Sequence, residues 1–241
     1  LTGGAGNDTY VFAKGYGHDT VDNDFSETGA HDRIRLDGLT REEVAFSLAS
    51  RTEGKSTYYD FVIRIIETGE TITVLNAFNS DRHSVKSVDF GDGSTLSWEE
   101  IKAGGFTGTE GDDILKLWPN EGGLVYGQSG DDQIVGSNQS DRLYGGAGND
   151  RLDGSGGDDL LDGGTGDDHL IGGAGNDAFV FGKGYGHDTV DAYDSKYGKH
   201  DKIQIIGLTP DEVEFGIEMV PSGSAKRCDF IVRIKETGET M

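Results

Sequence analysis

Aspartate recurs at a fixed place along the second half of this chain. Asp113, Asp132, Asp141, Asp150, Asp159, Asp168 and Asp177 each stand sixth in a nine-residue unit. The units run in unbroken register over residues 127–180: GQSGDDQIV, GSNQSDRLY, GGAGNDRLD, GSGGDDLLD, GGTGDDHLI and GGAGNDAFV. An earlier unit, GTEGDDILK (108–116), belongs to the series, and GGAGNDTYV (3–11) opens the chain. The ten residues 117–126, LWPNEGGLVY, interrupt the series and lack the aspartate.

The remaining places of the unit say how those carboxylates are positioned. Glycine at the first, second and fourth places allows positive φ and close backbone approach. Asn or Asp at the fifth tolerates left-handed geometry and can bond its own turn. The last three residues read as a short strand with one inward apolar side chain: Ile134, Leu143, Leu152, Leu161, Leu170 and Phe179. A disordered acidic linker would not keep an apolar residue at that place. Two units then make one coil of eighteen residues, with a strand on each side and a turn at each end. Stacked coils form two parallel sheets over a thin core.

In such a roll Asp132, Asp150 and Asp168 stack on one edge, and Asp141, Asp159 and Asp177 on the other. Carboxylates about 4.8 Å apart, the strand spacing, repel unless something positive lies between them. A hard cation removes the repulsion. Two Asp oxygens with the carbonyls of the glycine turns, at Gly130, Gly148, Gly157, Gly166 and Gly175, make an all-oxygen cage of about six ligands. That set suits Ca²⁺; Mg²⁺ prefers a tighter octahedron and keeps its waters. The expected pairs are Asp113/Asp132, Asp132/Asp150, Asp150/Asp168, Asp141/Asp159 and Asp159/Asp177. An end site joins Asp168 to Asp188, giving five or six ions. Gln139 replaces the fourth-place glycine and weakens the case for Asp141/Asp159. Asp8 sits in a full unit whose partner coil would lie before Leu1, so its site is expected to be half built.

Composition agrees with a metal-dependent chain and narrows its partners. Asp+Glu number 44 against 21 Lys+Arg, a formal charge of −23. Such a surface repels nucleic-acid phosphates and anionic lipid, so neither is an expected partner. The apolar runs are too short for a membrane span. The single cysteine, Cys228, excludes an internal disulfide framework and a Cys-based zinc site. No H-E-x-x-H, G-x-S-x-G or P-loop pattern occurs, so no catalytic residue is assigned. His18, His187, His31 and His200 stand beside Asp19, Asp188, Asp32 and Asp201. They read as parts of the turns that close each roll, with a His–Asp metal or catalytic pair as the alternative. Trp98 and Trp118 read as core or cap packing in preference to sugar-stacking platforms.

A second period is longer. Residues 1–72 align with 170–241 at a constant offset of 169, about half of them identical. The chain therefore reads as an excerpt from a tandem array. Between the two glycine-rich stretches, the segments around Ile34–Leu39, Phe61–Ile66, Thr71–Leu75 and Val85–Phe90 have strand character. Thr68-Gly69-Glu70 and Gly91-Asp92-Gly93 read as hairpin turns. Ser97-Trp98-Glu99-Glu100 is a capping box opening a short helix to about Ala103, and a second helix is expected from Thr40-Arg41-Glu42-Glu43. The expected organisation is the end of an upstream roll over 1–24, a β-rich spacer with a short C-terminal helix over 25–104, a roll over 105–190, and the truncated start of another spacer over 191–241.

The nonapeptide G-G-x-G-x-D-x-U-x resembles the calcium-binding repeat of the RTX (repeats-in-toxin) family. The stretch Phe181-Gly182-Lys183-Gly184-Tyr185-Gly186-His187-Asp188-Thr189-Val190 is similar to the exit segment of its rolls. The resemblance implies an all-β, right-handed parallel β-roll with Ca²⁺ as its cofactor. It also implies export by type I secretion machinery and folding outside the cell. By resemblance, the chain is a non-catalytic folding and secretion module of a large extracellular toxin or adhesin, with a host-cell receptor or glycan as a further partner. The alternatives are the carrier part of a secreted protease, lipase or polysaccharide epimerase, and a carbohydrate-binding adhesin module.

Overall fold

The computed structural model describes residues 1–22, 31–53, 56–75, 85–117, 122–191, 200–222 and 225–241. They divide into two compact units. One holds residues 1–108, 114–118 and 123–125; the other holds 109–113, 119–122 and 126–241. Trp118 lies outside the described residues.

In the second unit the nine-residue period becomes a parallel β-roll. Strands Gln133–Val135, Arg151–Asp153, His169–Ile171 and Thr189–Asp191 form one face. Arg142–Ala147, Leu160–Thr165, Ala178–Gly182 and Lys202–Ile206 form the other. Gln133 pairs with Arg151 and Arg151 with His169; Arg142 pairs with Leu160 and Leu160 with Ala178. Each step is eighteen residues, two units per coil. Ile134, Leu143, Leu152, Leu161 and Leu170 are wholly buried and Phe179 nearly so, one apolar side chain from each unit. The second face differs from the three-residue strands expected: Arg142–Ala147 and Leu160–Thr165 run six residues, because Gly146 and Ala147 pair with Gly164 and Thr165 inside the turn.

The roll does not stop with its last nonapeptide. Ala178–Gly182 pairs in parallel with Lys202–Ile206 at an offset of 24 residues, and His169–Ile171 with Thr189–Asp191 at an offset of 20. Two further strands therefore stack where the sequence period has already broken. An antiparallel hairpin, Val213–Ser222 with Ala225–Ile234, follows. Cys228 lies on its second strand.

The first unit repeats this plan and then extends it. Thr9–Phe12 pairs in parallel with Asp32–Leu36, again 24 residues on, so a roll-like strand stands inside the stretch read as spacer. Val85–Phe90 joins in parallel and Thr95–Ser97 in antiparallel. A second sheet orders Asp19–Asp22, Thr71–Leu75, Ser56–Ile65 and Val44–Glu53. Thr68 to Glu70 make the turn into Thr71–Leu75, with Gly69 at φ +74°, as the sequence predicts. The helix Trp98–Gly104 begins at Ser97, whose hydroxyl accepts the Glu100 amide in a capping box. At Thr40 the outcome is different. The capping box forms, but only a 3₁₀ turn, Arg41–Glu43, follows before Val44 enters a strand. β-Branched and aromatic residues from Val44 onward favour the sheet, and the expected helix does not propagate. Among the described residues no helix is long and apolar enough to cross a membrane.

The two copies of the long repeat reproduce each other's contacts. Lys14 Nζ lies 2.6 Å from Glu67, and Lys183 Nζ 2.7 Å from Glu236. His18 Nδ1 is 3.0 Å from the Thr71 hydroxyl, and His187 Nδ1 3.0 Å from that of Thr240. The histidines thus tie exit turns to the returning strand, as their placement beside Asp19 and Asp188 suggests.

Candidate metal centre

Each turn of the roll brings its sixth-place aspartate under the aspartate of the preceding coil. The backbone amide of Asp113 donates to Asp132 Oδ1 at 2.8 Å, Asp132 to Asp150 at 2.8 Å, Asp150 to Asp168 at 2.8 Å and Asp168 to Asp188 at 3.1 Å. On the other edge Asp141 donates to Asp159 at 2.8 Å, Asp159 to Asp177 at 3.0 Å and Asp177 to Asp201 at 2.9 Å. The two expected stacks exist, and Asp188 ends the first of them. Asp201 extends the second and was not assigned to it from sequence. Its spacing of 24 residues hides it from the nine-residue period; the signal was its match to Asp32 at the long offset. In the first unit the Asp8 amide donates to Asp32 Oδ1 at 2.7 Å, so Asp8 has a partner in the following coil.

These bonds use only one oxygen of each carboxylate. The Oδ2 atoms of Asp132, Asp150, Asp159, Asp168, Asp177 and Asp188 are buried and bond to nothing, as is that of Asp8. The residues themselves are 0–6% exposed in the roll. A buried acceptor without a partner is costly, and a buried charge more so. Burial, above all, pushes the carboxyl of Asp132 up to about 6, Asp168 to about 7, and Asp159 and Asp188 to about 8, against the pull of the amide each accepts. Neighbouring carboxylates add to the rise. Asp150 is raised for the same first reason.

Glycine turns flank these carboxylates. Gly130, Gly148, Gly157, Gly166 and Gly175 all have positive φ, from +112° to +157°. A Cβ on Gly148 would collide with the Gly130 carbonyl, on Gly166 with that of Gly148, and on Gly175 with that of Gly157. The fourth-place carbonyls therefore form a column of their own, each aimed at a residue that must be glycine. First-place Gly127, Gly145 and Gly154 are just as constrained, because the Oδ2 of Asp132, Asp150 or Asp159 folds back onto them beside the carbonyl of the next coil's first glycine. Among the described residues no three His, Cys, Asp or Glu side chains converge on one point. Each coil edge brings one sixth-place carboxylate into the interior, while the fifth-place side chains bond along the outside of the turns.

A separate outer ladder holds the turns in register. Asp131 donates its amide to Asp112 Oδ1, Asn149 to Asp131, Asp167 to Asn149 and His187 to Asp167, at 2.7–2.9 Å. On the other edge Asn176 donates to Asp158 and His200 to Asn176. Fifth-place side chains thus accept from the coil after, while sixth-place side chains accept from the coil before.

Two aspartates are held differently, and each heads its stack. Thr109 donates both its amide and its hydroxyl to Asp113 Oδ2, and the Ser137 amide donates to Asp141 Oδ2 at 2.6 Å. The Ser137 hydroxyl also lies 3.3 Å from Asp141 Oδ1. Thr109 and Ser137 occupy the second place, where Gln128, Gly146, Ser155, Gly164 and Gly173 adopt positive φ and these two do not. Their hydroxyls close small turns on Gly111 and Gln139. At these two heads a hydroxyl-bearing residue bonds the Oδ2 oxygen that, among the described residues, has no partner in Asp132, Asp150, Asp159 and Asp168.

An oxygen-only donor set around unpartnered, stacked carboxylates fits a hard divalent cation, and calcium in particular. The comparisons agree with this chemistry. Residues 1–21, 126–161 and 153–190 match the family described as RTX calcium-binding nonapeptide repeat, and residues 60–100 match the haemolysin-type calcium binding protein related domain. The chain carries RTX calcium-binding nonapeptide repeats, folded as an all-β parallel roll. No curated protein matches the chain. Among solved structures it is similar to an extracellular lipase from Serratia marcescens, at 14% identity and a TM-score of 0.32. That alignment covers 99% of this chain and 35% of the lipase chain, so this chain spans about a third of that protein.

Proposed function

We propose that the chain is a calcium-dependent folding module of a large exported protein, with a structural and not a catalytic role of its own. The carrying observation is the column of buried Oδ2 atoms that bond to nothing. Without a cation, each is a penalty on the folded state; with one, each becomes a ligand. Metal binding free energy is then folding free energy. A module of this kind stays open at cytosolic calcium, passes through a type I exporter unfolded, and closes at about 10⁻⁴–10⁻³ M Ca²⁺ outside the cell.

The ions lie between successive aspartates of a stack: Asp132/Asp150, Asp150/Asp168, Asp168/Asp188, Asp159/Asp177 and Asp177/Asp201. Fourth-place carbonyls of Gly130, Gly148, Gly157, Gly166 and Gly175 complete the cages. Asp113 and Asp141 contribute weakly, since Thr109 and Ser137 already occupy one oxygen of each. The functional roll on this reading runs beyond residue 190 to the strand Lys202–Ile206. Its parent is a secreted toxin or adhesin in which the module orders and presents neighbouring domains. Counting bound calcium by native mass spectrometry on the intact chain tests the assignment. Five ions in the roll are expected, and two or fewer would contradict it.

A further inference from the structure

The aromatic pair on the hairpin of the long repeat is covered in the first copy and exposed in the second, whose given residues run to the match of Ile72. In the first unit Phe46 and Phe61 sit diagonally on the hairpin Val44–Glu53/Ser56–Ile65, with ring centroids 5.5 Å apart and 1% exposure each. Trp98, at the start of the helix Trp98–Gly104, packs edge-on against Phe61 at 5.2 Å, and Phe106 follows Trp98 at 6.3 Å. Arg41 covers Phe46 at 4.7 Å.

In the second unit the residues 169 places on are Phe215 and Phe230. They lie on the hairpin Val213–Ser222/Ala225–Ile234 in the same register: Phe46 faces Ile63 and Phe215 faces Val232, while Leu48 faces Phe61 and Ile217 faces Phe230. Their rings stack at 5.9 Å, yet they are 59% and 60% exposed. Pro210 stands where Arg41 stands, so this position offers no guanidinium to the ring. Two large aromatics side by side on a strongly acidic chain form an exposed apolar patch, the kind of surface that partners cover.

We propose that the Phe215/Phe230 face is a docking surface for a helix–strand segment of the kind formed by residues 95–107. The occupant is a short helix whose first residue is tryptophan, followed by a strand that begins with phenylalanine. The first unit shows how that chemistry covers such a pair: an indole edge meets one ring, and the following phenylalanine closes behind it. The hairpin register is the same in both copies, so the second face presents its rings to the same kind of partner. Docking would exclude water from both faces of the stacked rings.

The test is the whole chain extended after Met241 by a copy of residues 73–107, compared with the unextended chain, both in saturating calcium. Met241 repeats the position of Ile72, so the copy continues the offset in register. Hydrogen exchange of Val213–Ser222 and Ala225–Ile234 is followed by mass spectrometry. Protection of both strands should rise at least tenfold in the extended chain. The double substitution Phe215→Ser and Phe230→Ser should abolish that gain and leave the calcium response of the roll intact. No gain in the extended chain would overturn the proposal, as would an equal gain in the double variant. Dimerisation of the unextended chain, lost in the double variant, would also overturn it, because the occupant would then be a second copy.

Discussion

The amide of Asp150 donates to Oδ1 of Asp168 at 2.8 Å, and Oδ2 of the same Asp168 is buried with no partner. One carboxylate thus has two jobs. Its first oxygen fixes the register of two coils, and its second, among the described residues, accepts no bond and on the proposed function faces a cation. Repeated down both edges, this arrangement sets the strands in register and leaves a row of buried carboxylate oxygens, which on the proposed function a cation neutralises.

Substitutions at the two kinds of aspartate should separate these jobs. Asp150→Asn keeps an oxygen for the Asp132 amide but weakens the charge shared by two ions. The calcium midpoint for folding should rise by about tenfold or more, and bound calcium should fall by up to two ions. Asp141→Asn, at the head of its stack where Ser137 already bonds the carboxylate, should move the midpoint much less. Calcium titration of the two variants by circular dichroism checks the contrast, and equal shifts would show that the heads bind as fully as the interior.

Glycine tolerance should follow close approach and not conformation alone. Gly4 (φ +97°) and Gly148 (φ +133°) both adopt the left-handed half of conformational space. A Cβ on Gly4 meets nothing within 4 Å, whereas one on Gly148 collides with the Gly130 carbonyl. Gly4→Ala should cost about 1–2 kcal/mol of local strain. Gly148→Ala should cost more, because it also pushes apart two coils that share a cage. Thermal melts in saturating calcium should show the second variant melting well below the first.

Proton and calcium should compete for the same oxygens. Burial lifts Asp159 and Asp188 to about 8 and Asp168 to about 7, above the value of about 4 for the unfolded chain. Between those limits the calcium-free folded roll binds more protons than the unfolded chain. Its stability is therefore greatest below about pH 4 and falls as pH rises toward 8. In chelator, β structure should increase on acidification from pH 8 to pH 5. At pH 5, where the calcium-free roll is folded and holds its protons, calcium binding should release them, measurable by calorimetry in buffers of different ionisation enthalpy. Proton uptake, or none, would contradict the burial of ionisable ligands.

Much of this was legible because the repeat states both halves of the design in every unit. Leu152 at the eighth place and Asp150 at the sixth locate core and edge without any structure, and the eighteen-residue coil follows from pairing units. The helix at Trp98 was legible from its cap for the same local reason. Where the period breaks, the sequence loses its voice. Asp201 and Asp32 join their stacks 24 residues on, set by strand pairing and not by spacing. The roles of Thr109 and Ser137 lie in the fold, since a hydroxyl at a glycine place reads as a mere departure until its bond to Asp113 or Asp141 is formed. The failed helix after Thr40 shows a local signal outweighed by the strand that follows it.

The most direct measurement is the far-UV circular dichroism spectrum of the intact chain at pH 7.5, first in chelator and then titrated with calcium. The account expects a largely unfolded spectrum in chelator and a cooperative gain of β structure with a midpoint of about 10⁻⁴–10⁻³ M. A complete β spectrum in chelator, unchanged by millimolar calcium, would contradict it.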